Sequence, residues 1–289
     1  MPSTRELRMR IRSVKNISQI TRAMEMVAAS RMRRAQQAVL AGRPYSDKLD
    51  EVIANLAARL GTMDADTTHP LLQTRPVKNA GIVLITSDGG LCGSMNSNVI
   101  RRTTRFMLDE GVAQGFEMVP VGRKGRDFMI RYGRPVIAEF TNYGYRPRPD
   151  YIIPIARVIT EEYAAGRIDA LYLIYSEFVN TLIQKPVVVP LLPLQPSELK
   201  GPQVEYLYEP SPAVVLNQLV PRYVEARIYQ ALLESIASEQ SARLVAMRNA
   251  TENAKEIVSE LTLSYNKLRQ ANITRELSEI VGGAAAVTG

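Results

Sequence analysis

Apolar residues recur every three or four positions through residues 5–39. There Leu7, Ile11, Val14, Ile17, Ile20, Met24, Val27, Met32, Ala35 and Val39 share one broad face of a helix wound at about 100° per residue. Proline is absent between positions 3 and 43, and Ala, Met, Arg, Gln and Glu, all good helix formers, dominate. Ser3 followed by Glu6 offers a capping box at the start. Gly42-Arg43-Pro44 predicts a kink or short break, because proline removes a helix hydrogen bond. Helical spacing resumes through Val52, Ile53, Leu56, Ala57 and Leu60, and Gly61 with the polar run to His69-Pro70 ends it.

The C-terminal third repeats the pattern. After Pro212, residues 213–281 contain one proline, Pro221, and no glycine before Gly282. From Ala250 a heptad stripe reads Ala250, Ala254, Ile257, Leu261, Ser264, Leu268, Ala271, with small side chains alternating with larger ones as a closely packed coiled-coil partner requires. At 1.5 Å per residue the two helices would span roughly 85 and 110 Å, too long for both to be buried in one globule. They must pack on each other or on another protein. Packed on each other they run antiparallel, and the C-terminal helix outruns its partner by about 16 residues, roughly 24 Å.

Between them the period changes. AGIVLIT (80–86), FEMVPV (116–121), PVIAEF (135–140), ALYLIYSEF (170–178) and QKPVVVPLLPL (184–194) read as strands. Helical patterns fall near Ser94–Asp109, Lys124–Tyr132 and Tyr151–Ala165. This alternation predicts an α/β domain with a mostly parallel sheet, and the prolines at 186, 190 and 193 place the last strand on an edge. The expected organisation is an N-terminal coiled-coil helix over 1–60, a linker over 61–77, the α/β domain over 78–208 and a C-terminal coiled-coil helix over 209–289.

Charge sharpens the picture because it is localised. Residues 1–36 hold nine basic and two acidic side chains, the whole formal excess of +7 in a chain of 289; the other 253 residues balance at 27 of each. Seven of the nine, all but Arg10 and Arg31, lie within an arc of about 120° opposite the apolar face. Such a block is aimed at a negative partner. One cysteine and one histidine exclude a disulfide framework, cysteine-rich zinc sites and paired-histidine metal sites. No apolar run approaches a membrane span, and no apolar signal core opens the chain.

The turn Ser87-Asp88-Gly89-Gly90-Leu91-Cys92-Gly93-Ser94 follows a strand and opens a helix, where nucleotide phosphates can bind. It lacks GK[ST] and GxGxxG spacing, and Gly122-Arg123-Lys124 stands where an acid would mark a dinucleotide site. Gly89, Gly90, Cys92 and Gly93 therefore read as a structural turn, Cys92 as a packed or semi-buried thiol, and His69 as a surface residue. No acid pair is singled out for proton transfer, so no catalytic residue, metal or cofactor is expected. Two readings of the basic helix stay open. A nucleic-acid-binding coiled coil is one, although residues 1–44 carry no aromatic to stack on bases. A coiled-coil shaft set against an acidic protein surface is the other.

The runs RIRSVKNISQITRAMEMVAASRMRRAQ (10–36), ITSDGGLCGSMN (85–96) and LTLSYNKLRQANITRELSEIVGGAAAV (261–287) resemble the gamma-subunit family of F-type ATP synthases, and the resemblance extends from end to end. It implies an asymmetric antiparallel two-helix coiled coil inside a ring of three alpha and three beta subunits. A Rossmann-like α/β domain would sit at its foot, against the epsilon subunit and the c-subunit ring. It also implies a rotor that couples proton flow to ATP synthesis or hydrolysis on beta, with nucleotide held by the ring subunits. By motif it makes Met24, Arg31, Arg33, Arg34, Arg269, Gln270, Thr274 and Glu279 contacts to beta, and Ile280–Val287 the part that turns in an apolar bearing. No chloroplast-type cysteine insertion is present, and no transit peptide precedes the first helix. A bacterial subunit is expected, peripheral on the cytoplasmic face of the plasma membrane, without a span of its own and without nucleic acid. Gly89 stands where a polar residue is expected.

Overall fold

A computed structural model describes residues 3–60, 70–109, 111–194, 206 and 208–288. His69 and residues 61–69 of the expected linker lie outside the described residues. In chain order the elements are α1 (Thr4–Leu60), β1 (Asn79–Ile85), α2 (Met95–Asp109), β2 (Gly115–Val121), α3 (Arg123–Arg131), α4 (Ile153–Ala164), β3 (Ala170–Phe178), β4 (Gln184–Leu192) and α5 (Pro212–Thr288). The chain divides into two compact units, Met1–Val27 with Leu244–Gly289, and Ala28–Arg243.

In the first unit the ends of α1 and α5 pair. The Arg8 guanidinium donates to the Tyr265 hydroxyl at 2.7 Å, the Thr21 and Thr251 hydroxyls share a hydrogen bond at 2.7 Å, and Arg248 reaches Glu25 at 3.0 Å. Each advance along α1 is matched by an equal retreat along α5, so the helices are antiparallel. Continuing that register sets Thr4 opposite about residue 269, and α5 runs on for about 19 residues, roughly 28 Å. Residues 273–282 are exposed, an unpaired tip as expected.

The seam follows a heptad, not the straight-helix wheel. The covered positions are Thr4, Leu7, Ile11, Val14, Ser18, Thr21 and Glu25 on α1, and Leu244, Met247, Thr251, Ala254, Val258, Leu261, Tyr265 and Leu268 on α5. Leu7, Ile11 and Val14 lie where the wheel put them, but Ile17, Ile20 and Val27 are half or more exposed. A straight helix drifts about 20° per heptad against a 3.5-residue repeat, so an unsupercoiled wheel turns progressively off the seam. On α5, Ala254, Leu261 and Leu268 are seam residues, whereas Ile257 is 45% exposed and its place is taken by Val258. At the start of α1 the Glu6 N–H does donate to the Ser3 hydroxyl at 3.2 Å, but the Glu6 carboxylate pairs with Arg10 at 2.9 Å instead of closing the box.

The second unit holds a four-stranded sheet in the order β2-β1-β3-β4, parallel except for the β3–β4 hairpin. Side chains alternate between its faces. Val83, Ile85, Val119, Val121, Leu171 and Leu173 pack with α4, the lower turns of α1 and the first turns of α5. Ile82, Leu84, Met118 and Ile174 pack with Val99 and Phe106 of α2 and Met129 of α3. Helices thus cover both faces, which explains the uninterrupted apolar run of β1. Pro186 and Pro190 lie in β4, which is an edge strand as expected.

Two expectations change. PVIAEF (135–140) is not a strand: it touches β2 only at isolated bridges, Met118 with Val136 and Val121 with Phe140. Pro135 has no N–H to donate, and Glu139 turns outward to Arg126 at 3.4 Å, so the ladder is not completed. Of the kink or short break expected at Gly42-Arg43-Pro44, the break does not occur: α1 is continuous through Pro44. Proline removes one rung only, and Leu49, Ile53 and Leu56 beyond it are buried in the core that Ala35 also enters.

Ile53 is fully buried and Ile17 half exposed. Ile53→Ala should therefore cost about 2–5 kcal/mol in urea unfolding, and Ile17→Ala should stay within about 0.5 kcal/mol. The Asp169 carboxylate accepts the Lys78 and Asn79 N–H groups at 3.0 and 3.1 Å, and those bonds hold it below the usual aspartate range. The lowered value means its contribution is complete above the ordinary aspartate pKa and is lost as pH falls through the lower, folded-state value. Unfolding measured across acidic pH should show Asp169→Asn flattening that part of the profile.

Candidate functional site

The turn after β1 is folded into its own surroundings. The Ser87 N–H donates to Asn96 Oδ1 at 3.0 Å, and Asn96 Nδ2 donates to the Ser87 hydroxyl at 2.8 Å and the Cys92 sulfur at 3.1 Å. Cys92 is buried, and burial pushes its thiol above the ordinary cysteine value, which opposes a nucleophilic thiolate. Gly93 lies at φ +56°, whereas Gly89 and Gly90 have no backbone requirement of that kind. Leu91 takes φ +61° and points 61% exposed into solvent.

Beside that turn, the N–H donors at the start of α3 are occupied by the chain itself. At the N-terminus of α3 the Arg123 N–H donates to Asp88 Oδ1 at 3.1 Å, the Lys124 N–H to the Ser87 carbonyl at 3.2 Å, and the Gly125 N–H to Thr86 Oγ1 at 2.8 Å. The other Asp88 oxygen accepts the Asn142 N–H at 2.9 Å, and the buried Tyr143 hydroxyl donates to the Thr86 carbonyl. An internal carboxylate thus caps the N-terminus of α3, where a helix favours a negative group. Gly122 is the residue that permits this closure: at φ +107° a Cβ there would lie 2.0 Å from the Thr86 carbonyl oxygen.

A buried polar cluster that the sequence reading did not single out backs the turn. Arg243 Nη2 donates to the Gly90 carbonyl at 3.0 Å and to Glu239 Oε1 at 2.7 Å. Glu239, Gln240 and Arg243 are all buried. Desolvation raises the Glu239 carboxyl above the usual glutamate range, and Arg243 opposes that shift. The only sequence signal is the polar run Ser238-Glu239-Gln240-Ser241 in a largely apolar stretch of α5. Among the described residues no group of His, Cys, Asp and Glu side chains could hold a metal ion, and no helix is long and apolar enough to cross a membrane.

The residues expected to contact a partner fall in both units. In the second unit Arg31 stacks on the Tyr145 ring with its guanidinium carbon 3.7 Å from the centroid, which explains why it departs from the basic arc. Arg33 and Arg34 are exposed, and Arg34 donates to the Ser30 hydroxyl at 2.8 Å. In the first unit Met24 is half-buried beside the seam, and Arg269, Gln270, Thr274 and Glu279 are exposed on the last turns of α5. Ile280 and Val281 are 68% and 66% exposed.

A mostly parallel α/β sheet covered by helices on both faces, with long helices as the first and last elements, is the architecture of a rotary-ATPase central-stalk subunit. The ATP synthase family model matches residues 3–287, and the chain belongs to the ATP synthase gamma-chain family. It is 54% identical to the ATP synthase gamma chain of Roseiflexus castenholzii over 290 residues, covering 99% of both chains. It is 54% identical to that of Dehalococcoides mccartyi over 288 residues, covering 99% of this chain and 100% of the relative. Among solved structures, the central stalk and c-ring of the Tetrahymena thermophila mitochondrial ATP synthase matches at TM-score 0.63 and 29% identity, over 80% of this chain and 99% of that one.

Gly122→Ala drives a methyl into a backbone carbonyl and should unfold the α/β unit or lower its melting temperature by many degrees. Gly90→Ala meets nothing within 4 Å and should leave melting nearly unchanged; calorimetry on both variants checks the pair.

Proposed function

We propose that this chain is the central-stalk rotor subunit of an F-type ATP synthase. It turns inside a ring of three alpha and three beta subunits and on a c-subunit ring, with epsilon beside the Rossmann-like unit. The observation that carries the reading is identity of 54% to gamma chains over 99% of this chain. The subunit is non-catalytic by itself, and nucleotide is held by the ring subunits. It lies peripherally on the cytoplasmic face of a bacterial plasma membrane as part of the complex, and helps regulate ATPase activity and proton flow.

The physical role follows from shape and charge. A subunit without a ligand can shift the equilibria of its neighbours only by contacting their states differently. Two helices of unlike sequence present a different face in every direction, so three identical catalytic subunits meet three different surfaces. The basic face of α1, with Arg33 and Arg34 exposed and Arg31 held by Tyr145, meets acidic loops of beta. Met24 packs near that loop, and Arg269, Gln270, Thr274 and Glu279 meet beta higher on the shaft. The exposed apolar tip from Ile280 turns in an apolar bearing. Glycines 89, 90 and 93 with Cys92 form the structural turn that seats the Arg243 side chain.

Reconstitution of the chain with alpha and beta, followed by single-molecule observation on ATP, should show rotation, while the chain alone hydrolyses none. Failure to join alpha and beta, or turnover by the isolated chain, would sink the reading. Exposed ion pairs contribute about 0.2–1 kcal/mol each. Arg33→Glu with Arg34→Glu should therefore weaken ring binding roughly two- to thirtyfold while circular dichroism stays unchanged.

A further inference from the structure

The heptad of α1 continues through the second unit as Ala28, Met32, Ala35, Val39, Gly42, Ser46, Leu49, Ile53 and Leu56. At its centre the side chains shrink to a hydrogen and a hydroxymethyl. A cleft of about 380 Å³ opens there, against α5 and the start of α4, within the roughly 300–1,000 Å³ of small-molecule pockets. Val39, Ile152, Ile153, Ala226 and Leu233 supply apolar walls. A Cβ added at Gly42 would meet nothing within 4 Å, so the space is not taken up by neighbours.

Two features make the gap more than loose packing. Gly42 is the sole glycine of α1, and Pro44, two residues on, its sole proline. A helix interior loses about 1 kcal/mol at glycine and about 3 at proline, so α1 concentrates its least helical residues beside the cleft. The polar side chains around it are turned to one another. Tyr229 donates to the Pro147 carbonyl at 3.2 Å and Gln230 to Glu234 at 3.2 Å, Arg222 pairs with Glu225 at 2.9 Å, and Asp150 lies 3.8 Å from Arg148. An ion entering would bring an uncompensated charge onto apolar walls, which is costly. An uncharged apolar molecule would cover Ile153, which is 37% exposed, and restore against Val39 and Leu233 the packing that Gly42 leaves out.

The geometry points to a binding site for a small, uncharged, largely apolar or aromatic molecule in the gap that Gly42 leaves between α1 and α5. This site is independent of the rotor reading and uses none of the proposed beta contacts.

Indole tests it on the purified full-length chain, by saturation-transfer NMR together with thermal unfolding. Indole should bind saturably and raise the melting temperature. Gly42→Leu, which fills the gap and improves helix propensity, should weaken binding at least tenfold with unchanged circular dichroism. If that variant fails to fold, Ser46→Leu fills the gap from the next seam position. Indole-3-acetate should bind at least tenfold more weakly than indole, and Gly90→Ala, remote from the cleft, should bind as the parent does. Absence of saturable binding, equal binding by the filled variant, equal affinity for the carboxylate, or loss of binding in Gly90→Ala would each overturn the site.

Discussion

Everything mechanical in this protein depends on one geometric constraint. Two helices from opposite ends of the chain must keep a 3.5-residue repeat in contact although each prefers 3.6. The seam meets it with few large apolar residues in the first unit. Ser18, Thr21, Glu25 and Thr251 occupy covered positions there. One of the Thr21 and Thr251 hydroxyls donates to the other across the seam, and the acceptor donates its own proton to a carbonyl of its helix, Ser18 for Thr21 or Met247 for Thr251. Such a pair adds only about 0.5–1.5 kcal/mol when made, but a slip that buries either hydroxyl unpaired costs about 1–3. Polar seam residues therefore act more on register than on stability. Register is what a shaft must hold, because a slip by one heptad would carry every contact residue about 10 Å along the axis.

The α/β unit shows the same economy in reverse. Its strand order and covered faces are those of nucleotide-binding domains, yet the positive end of α3 is capped by Asp88, the Ser87 carbonyl and Thr86. A helix N-terminus stabilises any well-placed negative group, and here the group is covalently part of the chain. The turn after β1 and the start of α3 thereby form a joint. Arg243 extends the joint by tying Glu239 on α5 to the Gly90 carbonyl in a buried setting, where an ionic contact without its partner is strongly disfavoured.

Much of this was legible in the residues. Long Pro-poor apolar periodicity identified α1 and α5, the run GIVLI identified a strand covered on both faces, and prolines 186 and 190 identified an edge. The absence of GK[ST] and of an acid after β2 argued against a phosphate site. PVIAEF (135–140) misled because its β-prone residues are real but its edge position is unsupported. The roles of Glu239 and Arg243 were unreadable because a buried polar residue looks like any other until its neighbours are known. Arg31 stood outside the basic arc for no visible reason until Tyr145, far away in sequence, was found beneath it.

Sequence alone determined the elements, the concentration of all the excess charge on the first helix, and the family. Each of these is written in local spacing or in long contiguous motifs. Tertiary structure decided which of two adjacent stripes becomes the seam, burying Thr21, half-burying Val258 and leaving Ile20 and Ile257 in solvent. Hydrophobicity cannot settle that choice, because neighbouring positions on a helix differ by about 100° while supercoiling shifts the contact line by about 20° per heptad. Only the partner helix, with its own small and polar residues, selects between them.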